Sequence, residues 1–233
     1  MIFKKTILTI LIVLFTGVCI LWAGDSADFV DLGFSPDGRI YMFGQYGVLS
    51  PSLRPWAELY VVDVAANNFV QNGRVSYTQT TPIRAGQDGS GVLYQLLGNN
   101  AALVNRHRIN NQNQGQPLYI SRSENPPDRG EIIDFRDFVS GRAFKAHLIP
   151  VISGTGQNIR SSFHINMEVT SQNGQTRTYR VGSPGFTRDR IASYNIKKVL
   201  IDPSGTSIIF VIEMKRVASN GFDIRYMVEA QRL

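Results

Sequence analysis

The chain has a single cysteine among its 233 residues, Cys19, and that one lies in an apolar leader. Without the leader no disulfide can form and thiol chemistry is excluded, so stability has to come from a packed core. Histidine is nearly as scarce. His107, His147 and His164 are at least 17 residues apart, and none has the close spacing of paired metal ligands. Charged residues make up only 18% of the chain against 43% hydrophobic, a balance that fits a folded protein and excludes global disorder. Lysine almost disappears beyond the leader: Lys145, Lys197, Lys198 and Lys215 stand against 18 arginines. Those arginines are scattered singly, with no basic stripe interleaved with aromatics, so nucleic acid is not an expected partner. No serine sits in a Gly-x-Ser-x-Gly elbow. The glycine-rich 86–91 stretch lacks the Lys-Ser/Thr ending of a phosphate loop.

What is present begins with that leader. Lys4 and Lys5 precede an apolar run to Trp22, and the small pair Ala23-Gly24 comes just before Asp25-Ser26. This is the order a signal peptidase reads, so residues 1–24 are expected to be a signal peptide and the protein to be periplasmic or secreted. The run is about 17 residues, the short limit for a membrane span, so an uncleaved anchor is the alternative and would be the only membrane contact. Lipidation at Cys19 is a third route, with branched Val18 poorly suited to it. About 209 residues remain as one β-rich domain carrying a charge of about +4, from +6 less the two leader lysines.

Strands and turns dominate the reading. Residues 28–34 alternate, Ser35-Pro36-Asp37-Gly38 forms a tight turn, and 39–43 continues as a strand. Residues 44–55 read as a Gly-, Ser- and Pro-rich loop. Residues 58–64 read as a strand apolar on both faces. From Ser90, an expected N-cap, apolar residues spaced by three and four predict one helical insertion near 90–107. A short strand at 118–120 follows, then a turn at Asn125-Pro126-Pro127-Asp128. A strand at 144–152 should break at Pro150, and Asn173-Gly174 should join strands 163–169 and 176–181 as a hairpin. Lys198-Val199-Leu200-Ile201-Asp202-Pro203-Ser204-Gly205 repeats the opening strand and turn. Two similar units, near 28–70 and 197–231, therefore flank a distinct middle. The fold class is mainly β, with antiparallel sheets in blade-like or sandwich form.

Phe34-Ser35-Pro36-Asp37-Gly38-Arg39 with Leu59-Tyr60-Val61-Val62-Asp63-Val64 resembles one blade of a TolB-type or WD40-like β-propeller. A blade takes about 40–45 residues, so the chain is too short for a six- or seven-bladed ring and blade-like local structure is implied. A closer resemblance is to a family of predicted secreted bacterial proteins with a domain of unknown function. It rests on Leu32-Gly33-Phe34-Ser35-Pro36-Asp37-Gly38, Met42-Phe43-Gly44-Gln45-Tyr46-Gly47, Ala57-Glu58-Leu59-Tyr60 and Val62-Asp63-Val64-Ala65-Ala66-Asn67-Asn68. That resemblance implies export and lends no activity.

No catalytic residue, metal ligand or cofactor site emerges. The expectation is a non-catalytic binding or scaffold domain of the bacterial cell envelope, with an envelope protein or a glycan as partner. Phe43, Tyr46 and Trp56, in the apparent loop at 42–56, are the expected contact residues, and 182–195 is a second candidate loop. The alternative is an envelope hydrolase using paired carboxylates, drawn from Glu131, Asp134 and Asp137 or from Asp25, Asp28 and Asp31.

Overall fold

The computed structural model describes residues 24–84, 86–121, 130–219 and 221–233. The leader up to Ala23 and the turn expected at 125–128 lie outside the described residues. The first sheet is a meander of β1 (Asp28–Phe34), β2 (Ile40–Leu49), β3 (Arg54–Asp63) and β4 (Asn68–Thr78). Two short helices follow, α1 (Ser90–Asn99) and α2 (Ala101–Arg106), and then β5 (Gln116–Ile120). The second sheet runs through β6 (Glu131–Arg136), β7 (Ala143–Ser153) and β8 (Arg160–Thr170). Both β9 (Thr176–Val181) and β10 (Arg188–Asp189) lie along the far side of β8. The third sheet is ordered β13 (Gly221–Arg232), β12 (Ser207–Ala218), β11 (Ile191–Ile201), β5. All the strand pairings within these sheets are antiparallel.

The third sheet is central, and its sequence says why. Ile208 to Ile212 is apolar at every position because both faces of β12 are buried. Ile208, Phe210 and Ile212 pack with Leu148, Phe163 and Ile165 of the second sheet. Ile209 and Val211 pack with Phe34, Tyr41 and Phe43 of the first. The first sheet's other face carries Met42, Leu59 and Val61, covered by Val92, Leu93 and Leu96 of α1. The three sheets thus form a stack closed on one side by helices, not a closed ring of blades.

The two Pro-x-Gly turns are the same structure. Gly38 N–H donates to Ser35 O and Gly205 N–H to Asp202 O, both at 2.9 Å, and both glycines have φ of 69°. The middle of the chain carries a third version. Asp137 N–H donates to Arg142 O at 2.9 Å, as Ser35 does to Ile40 and Asp202 to Ser207, and Gly141 has φ of 70°. The closing span is the same five residues, but the glycine stands four residues after Asp137 instead of three and no proline follows Asp137, which hides this likeness from the sequence motif.

Several local expectations change. The loop at 44–55 is most of a hairpin in which β2 and β3 pair from Ile40↔Asp63 to Leu49↔Arg54. Gly44 and Gly47 are strand residues there, required by close approach. A Cβ on Gly44 would lie 2.8 Å from Leu93 Cδ1, and one on Gly47 would lie 2.9 Å from Ser26 O. Pro150 does not interrupt β7, which pairs with β8 through Pro150↔Phe163. The ladder with β6 starts only at Glu131↔Leu148, so no ladder bond on that side is lost at Pro150. The helical insertion is two helices divided at Asn100, and Gly89, not Ser90, stands at the first N-cap position. The expected loop at 182–195 is ordered from Arg188 onward as β10 and β11. Among the described residues no helix is long and apolar enough to cross a membrane.

Candidate functional site

One cleft, of about 730 Å³, lies where the β6–β7, β8–β9 and β11–β12 turns meet. Its principal polar groups already hold those turns together. Arg142 donates to Ser140 Oγ and to Gly205 O, each at 2.8 Å. Asp202 Oδ1 accepts the Thr206 and Ser207 N–H groups, and the Ser140 hydroxyl donates to Asp137 Oδ2.

A second groove, of about 410 Å³, runs between the first sheet and β12–β13 and is bordered by residues 186–191. Its floor is built on alternate residues of the inward face of β2 and β3. Phe43 and Tyr60 stack at 4.7 Å, and Phe69 meets Tyr60 at 5.5 Å. Gln45 ties the two sheets together: Nε2 donates to Glu58 Oε2 at 2.7 Å, and Oε1 accepts the Tyr226 N–H at 2.8 Å. The Tyr60 hydroxyl also donates to Glu58 Oε2, at 2.6 Å. Burial pushes the Tyr60 phenol well above its ordinary pKa, and the Glu58 carboxylate adds to that push, so Tyr60 is a permanent donor. Tyr226 is raised in the same way, by burial first and then by Glu213.

The upper walls depend on a β-bulge. In a regular strand Phe69 and Arg74, five residues apart, would point to opposite faces. The register slips between Tyr60 and Val62, where Asn72 has φ of 57°. Val62 therefore faces Phe69 while Tyr60 faces Arg74, and both β4 side chains reach the same groove. The Arg74 guanidinium lies 5.4 Å from the Phe69 ring centre and 5.8 Å from that of Tyr60. Across the groove Arg188 lies 4.9 Å from Phe186 and 5.1 Å from Phe163. Phe69 and Phe186 are 41% and 60% exposed, so the rim offers two open aromatic faces.

Four arginines line this groove, and they are not equivalent. Arg188 pairs with Glu229 at 3.6 Å, Arg216 with Asp223 at 3.0 Å and Arg225 with Asp25 at 2.6 Å. Arg74 has no carboxylate within ion-pair distance among the described residues. It is held by aromatic faces and left electrostatically open.

Of the three residues singled out from the sequence, Phe43 is a buried floor residue of this groove. Trp56 is also buried. Its Nε1 donates to Asp25 Oδ2 at 2.8 Å, and its ring supports Arg225 at 4.2 Å, so it stands behind a groove residue. Tyr46 faces the other side of the sheet and packs with the α1 cluster. The structure therefore does not gather the three on one surface. Tyr60, Phe69 and Arg74 escaped the sequence reading, while Phe186 and Arg188 fall within the 182–195 loop named there as a second candidate but were not singled out. The one local signal was Asn72-Gly73 inside an otherwise regular strand, which marks a bulge.

The carboxylates considered for hydrolysis are dispersed. Glu131 is buried and accepts the Ile196 N–H at 2.8 Å, Asp134 is exposed, and Asp137 is engaged in its turn. Asp25 is committed to Arg225 and Trp56, Asp28 is exposed, and Asp31 accepts the Gly33 N–H at 3.0 Å. Among the described residues no three His, Cys, Asp or Glu side chains cluster to hold a metal ion.

Residues 42–232 match a family model described as predicted secreted protein (DUF2259). No curated protein and no solved structure matches the chain.

Proposed function

The chain belongs to this DUF2259 family of predicted secreted proteins, and on that premise we propose that it is a non-catalytic binding domain of the bacterial cell envelope. The Phe69–Arg74–Phe186–Arg188 groove is its binding face. The observation that carries this reading is the pair of exposed rings, Phe69 and Phe186, standing on either side of a groove whose arginines are already oriented. Aromatic and arginine side chains are enriched among the residues that carry binding energy, the rings because they bury large areas at low entropic cost and arginine because its fork makes directed charge-assisted hydrogen bonds. A groove braced by Gln45 between two sheets is also preorganised, which lowers the cost of binding.

The test is co-sedimentation of the exported protein with insoluble envelope material, comparing wild type with Phe69→Ala/Phe186→Ala. The reading expects the double variant to stay in the supernatant while unfolding at an unchanged temperature, since both side chains are open to solvent. Retention of the double variant on the envelope contradicts it. So does release of soluble saccharide by the wild-type protein, which would favour the hydrolase reading instead.

A further inference from the structure

Resting on that binding reading, we infer that the groove takes a carboxylated saccharide, with Arg74 reading the carboxylate and Phe69 and Phe186 carrying the sugar rings. Arg74 is the one groove arginine with no carboxylate partner among the described residues, whereas Arg188, Arg216 and Arg225 each have one. A guanidinium neutralised by an internal acid has little to gain from an incoming anion. An unpaired one presents a planar fork that matches a carboxylate bidentately. The aromatic faces of Phe69 and Tyr60 fix its position without neutralising it.

The rest of the groove selects among anions. Glu58 uses Oε2 for both Gln45 and Tyr60, which leaves Oε1 without a hydrogen bond among the described residues. Asp189 sits on the same lining, 72% exposed, with Oδ1 paired to Arg160 Nε at 3.1 Å and Oδ2 left open among the described residues. These are acceptors, suited to hydroxyl donors and hostile to a second negative charge. An acidic peptide or a sulfated polymer brings repeated anions into a site with one open cation and the Glu58 carboxylate, unpaired with any cation among the described residues. A uronic-acid-type sugar brings one carboxylate, several hydroxyl donors and an apolar C–H face for each ring. That matches one open arginine, open carboxylate oxygens and exposed aromatic faces.

The experiment is calorimetric titration of the exported protein with a disaccharide carrying a single uronic acid, its methyl ester and oligoglutamate, using wild type, Arg74→Ala and Arg74→Lys. The expected result is binding of the single-uronate disaccharide that Arg74→Ala weakens by about tenfold or more. Arg74→Lys should restore it only in part, because a point charge replaces a fork. The methyl ester should bind weakly, and equally to all three proteins. Equal affinity for acid and ester, an unchanged affinity in Arg74→Ala, or tighter binding of oligoglutamate each overturns the inference. If no probe binds while Phe69→Ala/Phe186→Ala still releases the protein from the envelope, the ligand class is wrong and the groove stands. If that double variant stays on the envelope, the groove reading itself has failed.

Discussion

Arg225 Nη2 donates to the Asp25 carboxylate at 2.6 Å across 200 positions of chain. Around that pair Asp25 N–H donates to Asp223 Oδ1, Trp56 Nε1 donates to Asp25 Oδ2, and Ser26 bridges in parallel to Ile224. The start of the described chain is therefore built into the exposed edge of β13, which would otherwise offer unpaired backbone groups. Gln45 and Asn67 continue the same protection, accepting the Tyr226 and Ala230 N–H groups. Gly24 belongs to this joint as well: a Cβ there would lie 1.6 Å from Phe222 O.

Removing one member of the pair strands the other. Asp25→Ala leaves a largely buried guanidinium and an indole N–H without their acceptor, and the expected cost is about 3–5 kcal/mol. Asp25→Ala/Arg225→Ala should cost less than the sum of the single changes, since neither charge is then left alone. Urea unfolding of the four proteins checks this.

The bulge in β4 should be as exacting as a core position. A Cβ on Gly73 would lie 2.6 Å from Val61 O, a backbone atom that cannot swing away. Gly73→Ala is expected to destabilise by about 1–3 kcal/mol. It should also weaken envelope binding beyond the effect of stability, because Arg74 loses its aim. Binding measured well below the melting temperature separates the two effects.

The two faces of β12 should each be indispensable. Phe210→Ala opens a cavity against the second sheet and Ile209→Ala one against the first. Expected losses are about 3–5 and about 2–5 kcal/mol respectively. Denaturant midpoints at constant slope would report them.

Glu131 gives a pH dependence with a definite sign. Burial raises its pKa above the ordinary 4.5, against the opposing Ile196 N–H, Tyr119 and Lys197. The folded state therefore holds a proton in a range where the unfolded chain has released it, and stability from this group rises as pH falls toward 4.5. Relative to Glu131→Gln, wild type should gain stability as the pH is lowered toward 4.5. A constant difference across that range would contradict the assignment.

Much of the frame was legible in the sequence. The unbroken Ile208–Ile212 run announces a strand buried on both sides, and Asn173-Gly174 marks the β8–β9 hairpin, where Ser171 N–H donates to Gln175 O. The helical spacing of Val92, Leu93 and Leu96 names the face that covers the first sheet. The site was less legible because long-range contacts build it. Gly44 and Gly47 read as breakers until α1 and the chain start are seen lying against them. Phe69 and Arg74 share a face only through the bulge, and Arg188 reaches the groove only through the stacking of three sheets. Aromatics among glycines drew attention to Tyr46 and Trp56, yet those glycines accommodate packing and not a mobile loop.

The most direct measurement is amide chemical-shift mapping of the isotope-labelled exported protein during titration with a disaccharide carrying a single uronic acid. The account predicts that the largest shifts fall on Tyr60, Phe69, Arg74, Phe186, Arg188 and Tyr226, and that in Arg74→Ala they need about tenfold more ligand or beyond to develop. Shifts centred instead on the turns at 137–142 and 202–205, or around Tyr94 on α1, would contradict it.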